Sequence, residues 1–548
     1  MERIRLYAHS DSVLWDQLSS ICEGHKLDFS SFSQHIPLSI ALHGDDSQLA
    51  LQAPTEDAIK VHSVLPLDVQ RIAGSGPPAN RVDLTFFSDG YLASEQDKFI
   101  KDVTRLVSEI SKNQTFHTVA PLLNFWAAFT PSNESGVGVG GIPKDTPFGL
   151  YRDGTELRGL YYARPEVARA ACDSLGDRCD YPILIGNDPL YGGLGGEFTT
   201  ITSSIMNGAL ILRHELGHSI IEVGEEYDGG FAYFGVNAAH NASEAIPWAH
   251  WLTRVNSSSG GLPRVERMVM PIQDYAWTLL NSTSAWSAYF NSSGTYSRYL
   301  IRFSLSGLPE KDDLSVLFDG EDLGWTPKEG LGVDRYFYDI YKNERLSEGE
   351  HKIEFVLKNA EREGIAQMCS IEVLEYGSEQ EFIETPGFYG VFPTFSETNE
   401  TTYRPTNEDC LMRLTTGPNF CKVCIEGLWY SLLSRVDPID SLETDCRLDA
   451  ETETWKRTLN VTLIPLGQFR EDPPDARESY TIVWTQDGKE LTRFANQTVV
   501  VVDDDEGLGE FGVGVRFVTE EVRSDPSGLL ETSASVVVSS TCSESAVH

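Results

Sequence analysis

The chain has 548 residues, with 43 Lys or Arg against 82 Asp or Glu, and carries a formal charge of −39. A surface so acidic excludes a phosphate-backbone partner or an anionic membrane as its binding surface and favours solubility. No apolar run approaches the roughly 20 residues that cross a bilayer, so membrane insertion is not expected, and the length suggests several domains.

Residues 1–75 contain short alternating stretches, HIPLSIALHG and AIKVHSVLPL, bounded by Asp, Ser, Gly and Pro, which predict a small β-rich domain. The opening MERIRLYAHSDSVLW lacks the apolar core of a signal peptide. RIAGSGPPAN then reads as a linker. From Arg81 the texture changes. VDLTFFSDGY predicts an apolar strand ending in a turn, and the helix that follows has Phe99, Val103, Leu106 and Ile110 on one side, so an α/β layer opens here. PLLNFWAAFTP predicts a second strand, the stretch around Val167, Ala168 and Ala171 a helix, and YPILIGN a third strand. In GGLGGEFTT the glycines lack the spacing and the closing Lys-Ser/Thr of a phosphate loop, which leaves a flexible turn or an open sheet edge to which an extended peptide could add.

The stretch that carries chemistry is RHELGHSIIEVGEEYD at 213–228. His214 and His218 are four residues apart, so on a helix they project from one face, the spacing at which two imidazoles share one Zn²⁺. Glu215 lies about 100° round the same helix, where a general base can sit beside the ion without ligating it. The apolar positions Ile205, Met206, Ala209, Leu210, Leu212, Leu216, Ile220 and Val223 predict a largely buried helix that Gly224 can stop. A turn there is needed: on a straight helix a carboxylate at 225 would stand about 10 Å along the axis from His218. The bland alternative is a buried helix with two satisfied histidines.

HELGH followed by a short spacer and GEEYD resembles the immunoglobulin A peptidase family of metallopeptidases, in which HExxH is followed by Asp-Glu-Tyr; Glu225 stands here where the family has Asp. NRVDLTFFSDGY, YGGLGGEFTT and YRPTNEDCLMR carry the resemblance over most of residues 76–435. It implies a zincin-like α/β (α+β) catalytic domain with one catalytic Zn²⁺ held by His214, His218 and Glu225, or alternatively Glu226, and with Glu215 as catalytic base. It also implies a methionine turn beneath the metal, for which Met412 is the position expected; Tyr403, with Arg404, could support a tetrahedral oxyanion. His240 and His250 lack ligand spacing to HELGH and are expected to pack or lie on the surface.

Residues 296–376 alternate at period two between turns, as an inserted β-sandwich does, and divide the catalytic domain into 76–295 and 377–437, the latter ending in a helix with Leu428, Leu432 and Leu433. Residues 438–548 predict a C-terminal immunoglobulin-like sandwich. Its DDDEG at 503–507 could hold Ca²⁺ or serve as a solvated turn.

The nine cysteines are Cys22, Cys172, Cys179, Cys369, Cys410, Cys421, Cys424, Cys446 and Cys542. A disulfide is expected between Cys172 and Cys179, and another within the cluster from Cys410 to Cys446; Cys421 and Cys424 could instead form half a zinc site or a redox pair. Cys22 could occupy the zinc in a latent form. Asn113, Asn133, Asn241, Asn256, Asn281, Asn291, Asn399, Asn460 and Asn496 each open a glycosylation sequon, about half of all the asparagines, an enrichment that fits a secreted glycoprotein whose signal sequence is missing here. The expected activity is that of a zinc endopeptidase acting on extracellular protein or peptide substrates through metal-activated water. A catalytically silent zincin that binds proteins or glycans, and a small-molecule amidase or deacetylase, are the alternatives. The sequence leaves the natural substrate and oligomeric state open.

Overall fold

The computed structural model describes residues 66–112, 114–253, 263–504 and 506–542. Cys22, the sequons at Asn113 and Asn256, and all but the last residues of the expected N-terminal domain lie outside them. The described chain is a mixed α+β protein with β-sandwich-like units.

Its organising layer is a six-stranded sheet in the order Asp68–Gly74, Leu123–Phe129, Val82–Asp89, Tyr181–Gly186, Thr199–Thr202, Gly193–Leu194. The inner neighbours run parallel, while the first and last strands are antiparallel edges. Val82–Asp89 is buried at every position, as a parallel strand covered on both faces must be. Its side chains alternate between two cores. Leu84 and Phe86 join Phe125, Ile183 and Ile201 beneath the helices Gln96–Ile110 and Gly208–Ile220, whereas Phe87 joins Ala128, Leu184, Ala168 and Ala171 beneath the helix Pro165–Asp173. The first helix buries Phe99, Val103, Leu106, Val107 and Ile110, the stripe its periodicity predicted, with Val107 added.

Gly208–Ile220 carries HELGH and is buried on most of its sides, polar residues included, between the sheet and the helix Lys422–Leu433. Arg213 turns outward from it and donates to the backbone carbonyls of Glu109 and Lys112 at the end of Gln96–Ile110. The helix is shorter than its apolar pattern suggested. Ile205 precedes it and is 75% exposed, and the helix stops at Ile220, because Val223 leaves to pair with Gly235. Gly224 therefore does not end the helix. It lies against Ala232 and Phe234 so closely that a methyl group would collide with their backbone, and close approach, not left-handed backbone, is what requires glycine there.

Strands from Met268 to Tyr376 form two facing sheets of five and four strands around Phe303, Val316, Ile353, Phe355 and Val373. This sandwich reaches the six-stranded layer through Asp334. Its carboxylate accepts from Tyr191 N (2.6 Å), Asn207 Nδ2 (2.8 Å) and Ser204 Oγ (3.2 Å), and so holds the approach to the HELGH helix. The C-terminal strands form sheets of three and four around Trp484, Ile482, Val513 and Phe517, continuous with the main core. A bidentate pair from Arg81 to Asp440 (2.6 and 2.8 Å) and a hydrogen bond from Trp429 Nε1 to Glu521 (2.8 Å) join them to the α/β layer.

Cys172–Cys179 is a disulfide, as expected. The second expectation is corrected: Cys446 pairs with Cys542, 96 residues away, while Cys369, Cys410, Cys421 and Cys424 are buried free thiols. Strand Ile439–Leu448 carries Cys446 away from the thiol cluster, into the C-terminal unit that also contains Cys542. In DDDEG, Asp503 pairs with Lys456 and Asp504 accepts from the Cys542 N–H (2.9 and 2.8 Å), so both carboxylates have internal partners. Among the described residues no helix is long and apolar enough to cross a membrane.

Candidate metal centre

The helix sets His214 and His218 one turn apart with their rings edge to face and Nε2 atoms 3.3 Å from each other. The Nδ1 atom of His214 meets Leu411 O at 3.1 Å, and that of His218 meets Val223 O at 3.1 Å. A carbonyl only accepts, so each Nδ1 carries the proton and each Nε2 lone pair is turned to the common point. The chain returns after Val223 and brings Glu225 there. Its Oε2 is 3.3 Å from His214 Nε2 and its Oε1 is 3.0 Å from His218 Nε2.

The return is fixed by backbone pairing. Gly224 N donates to Phe234 O (2.8 Å), Glu225 N to Ala232 O (2.8 Å) and Glu226 N to Met412 O (3.0 Å). Asn237 spans the turn, accepting from Gly224 N and donating to Gly224 O (3.0 Å) and Glu226 Oε1 (2.9 Å). Below it Arg413 makes a fully buried pair with Asp228 (2.7 Å) and donates to Glu226 O (3.0 Å). Glu226 is consequently turned away from the histidines and completely buried.

Two imidazole nitrogens 3.3 Å apart, each 3.0–3.3 Å from one of the two Glu225 oxygens, suit a small cation, since ligands about 2.0–2.1 Å from Zn²⁺ stand about 3.3 Å from one another. A second observation agrees. Glu225 Oε2 is buried with no well-formed hydrogen bond, its polar neighbour being His214 Nε2 at 3.3 Å, an arrangement that favours a positive charge beside it. The electrostatics have the same character. Burial works against ionisation of Glu225, yet the two imidazoles outweigh it and hold the carboxyl far below its ordinary range. Burial likewise disfavours a charged His218, but Glu225 prevails and pushes that imidazole up to about 9; His214 is raised in the same way. The cluster holds positive charge tightly, and a dication can replace the protons that otherwise supply it.

Glu215 stands beside this point, half-buried, its acidity weakened first by burial and partly restored by the imidazoles. The backbone N–H of Gly195 bonds its carboxylate. A side chain at 195 would begin 3.0 Å from Glu215 Oε2 and 3.3 Å from His218 Cβ, so glycine lets the edge strand Gly193–Leu194 pass directly over the helix. Met412 is fully buried, with Sδ against Gly217 on the far side of the helix from the edge strand's glycines. Its neighbour Leu411 supplies the carbonyl that orients His214.

Tyr403 is not brought to this point by any hydrogen bond among the described residues. Its backbone pairs with Ala239 (2.8 and 3.0 Å), and Arg404 is buried against Pro393, Thr394 and Asn407. His250 is bound to Glu426 (2.5 Å) and His240 is exposed. Tyr227, part of the oxygen-bearing run the sequence offered, lies against Glu225, while sequence reasoning missed Tyr191, close enough for its ionisation to sense Glu215, and Tyr275, whose ionisation senses Glu225. The only available signal was adjacency to the glycine run and to GEEYD.

An imidazole pair one helical turn apart, a carboxylate returned to it by a turn and a second carboxylate alongside make up the general layout of a metallohydrolase centre. Residues 70–258 match the family model described as IgA Peptidase M64, so this segment is similar to that peptidase family. No curated protein matches the chain. Similar solved structures include an exo-β-1,3-galactanase from Phanerochaete chrysosporium (14% identity, 20% of this chain and 29% of that one, TM-score 0.13). Others are an exo-chitosanase from Amycolatopsis orientalis (12%, 46% and 25%, 0.14) and a two-domain esterase active on acetylated mannans (9%, 55% and 92%, 0.15). The chain spans less than a third of the first two, and scores this low carry no weight for fold or function.

Proposed function

We propose that this chain is a zinc-dependent endopeptidase with a zincin-like catalytic domain, in which His214, His218 and Glu225 hold the metal and Glu215 is the general base. The observation that carries the reading is the convergence of these three side chains, with facing atoms 3.0–3.3 Å apart, beside a further glutamate, Glu215, and under the last strand of the sheet. Bound there, Zn²⁺ supplies a Lewis acid that polarises the scissile carbonyl and makes water acidic enough to lose a proton near neutrality.

The protein's own groups do the rest. Leu411 O and Val223 O hold the two imidazoles in one tautomer and one orientation. Glu215 takes the proton of the attacking water and passes it to the departing amine, and the Gly195 N–H keeps its carboxylate in place between the two transfers. The strand Gly193–Leu194 ends the sheet beside this point; Gly193 N is held by Arg158 O (3.3 Å), and an extended peptide would lie along this border of the sheet with its scissile bond over the metal. Met412 fills the space under the helix with polarizable apolar bulk and excludes water from that side.

Two features support secretion and extracellular substrates: two disulfides, and sequon asparagines of which Asn133, Asn241, Asn281, Asn291, Asn399 and Asn496 are exposed and Asn460 half-exposed. The test is casein hydrolysis by the secreted chain before and after chelation. Activity lost on chelation and restored by stoichiometric zinc is expected. Hydrolysis that survives complete removal of metal would refute the reading.

A further inference from the structure

The three free thiols near residue 420 are not scattered. Cys410 Sγ lies 3.6 Å from Cys424 Sγ, Cys421 Sγ lies 3.8 Å from Cys424 Sγ, and Glu226 Oε1 lies 3.8 Å from Cys424 Sγ. All four side chains are buried, and one donor atom from each falls within 4.8 Å of every other. We propose that Cys410, Cys421, Cys424 and Glu226 form a second zinc site, closed and structural, behind the catalytic centre.

The spacing supports a metal over a disulfide. A disulfide needs sulfurs about 2.05 Å apart, whereas thiolates at about 2.3 Å from a tetrahedral Zn²⁺ stand about 3.8 Å from each other. The same structure closes Cys172–Cys179 and Cys446–Cys542 and leaves these three open. Any single disulfide here would strand one buried thiol. It would also leave Glu226 as it stands, with Oε2 buried and unpartnered at a residue 0% exposed. One ion satisfies all four groups. The surroundings suit thiolates: Cys421 and Cys424 occupy the N-cap and first turn of the 12-residue helix Lys422–Leu433, at its positive end, and the Cys421 N–H points at Cys410 Sγ (3.4 Å). Soft sulfur donors with one carboxylate and no open position select Zn²⁺ in a structural role.

The site would tie the catalytic centre from behind. Glu226 is the residue after Glu225, and Cys410 is the residue before Leu411, whose carbonyl orients His214. This inference does not depend on the peptidase reading, and the test keeps them apart. The secreted, zinc-loaded His214→Ala/His218→Ala variant is examined by metal analysis and zinc-edge X-ray absorption. One zinc per chain in a sulfur-rich shell, against two per wild-type chain, is expected. Mapping the wild type after alkylation in chelator and denaturant without reductant should find Cys410, Cys421 and Cys424 all alkylated. A variant without metal, zinc without sulfur neighbours, or a disulfide between any two of these cysteines would overturn the proposal. Cys421→Ser should in turn lose the sulfur-rich zinc; if that variant fails to fold, the wild-type spectrum and the histidine variant still decide.

Discussion

Glu225 and Glu226 are neighbours in the chain and face opposite ways. Glu225 faces His218 beside Glu215, all three half-buried, under the last strand of the sheet; Glu226 faces three buried thiols. In the proposed reading the two donor sets differ as catalytic and structural centres do, one partly exposed and the other buried throughout. The difference teaches that one turn can serve both only if its backbone is fixed independently of either. Asn237, Met412 O and the Arg413–Asp228 pair fix it.

The comparison can be broken from either side. The largest effect is expected from His218→Ala, which should remove the cleft metal and reduce hydrolysis to background while the fold survives, read by metal analysis and circular dichroism. Next is Arg413→Ala. It leaves Asp228 charged and buried without its partner, so chemical denaturation should show a loss of about 3–5 kcal/mol. Both centres should loosen together, since Arg413 also holds Glu226 O. Asn237→Ala removes the hydrogen bonds across the turn and takes the amide donor from Gly224 O and Glu226 Oε1, while Gly224 N keeps Phe234 O, for about 1–3 kcal/mol by the same measurement. The smallest effect is expected from Gly195→Ala, which touches only the cleft side. Its methyl group would press on Glu215 and His218, so kcat should fall about tenfold, roughly 1.4 kcal/mol, with stability and metal content unchanged.

Part of this arrangement was legible in the sequence because it is local. The four-residue spacing of His214 and His218 needs only helical periodicity, and the buried strand Val82–Asp89 and the stripe of Gln96–Ile110 follow from apolar pattern alone. The choice between Glu225 and Glu226 was not legible. It depends on the helix ending at Ile220 and on partners at 232, 234, 237 and 412, which no local pattern announces. The cysteines teach the same lesson. Cys172–Cys179 closes a loop of short separation and could be read directly, whereas Cys446 finds Cys542 across 96 residues, and the thiol cluster draws Glu226 from a distant part of the chain. Asp334, in the sandwich, steadies Tyr191 and Asn207 through tertiary packing that sequence spacing cannot encode.

The most direct test of the central claim is the rate of casein hydrolysis by Glu215→Gln, measured against the wild type at equal, verified zinc content. Glu215 ligates nothing and should be dispensable for folding and metal. The variant should therefore keep its zinc and its thermal stability while losing about 10²–10⁴-fold in kcat, the contribution of a positioned general base. A metal-loaded Glu215→Gln chain that hydrolyses casein at the wild-type rate would contradict the assignment of this helix as a catalytic centre.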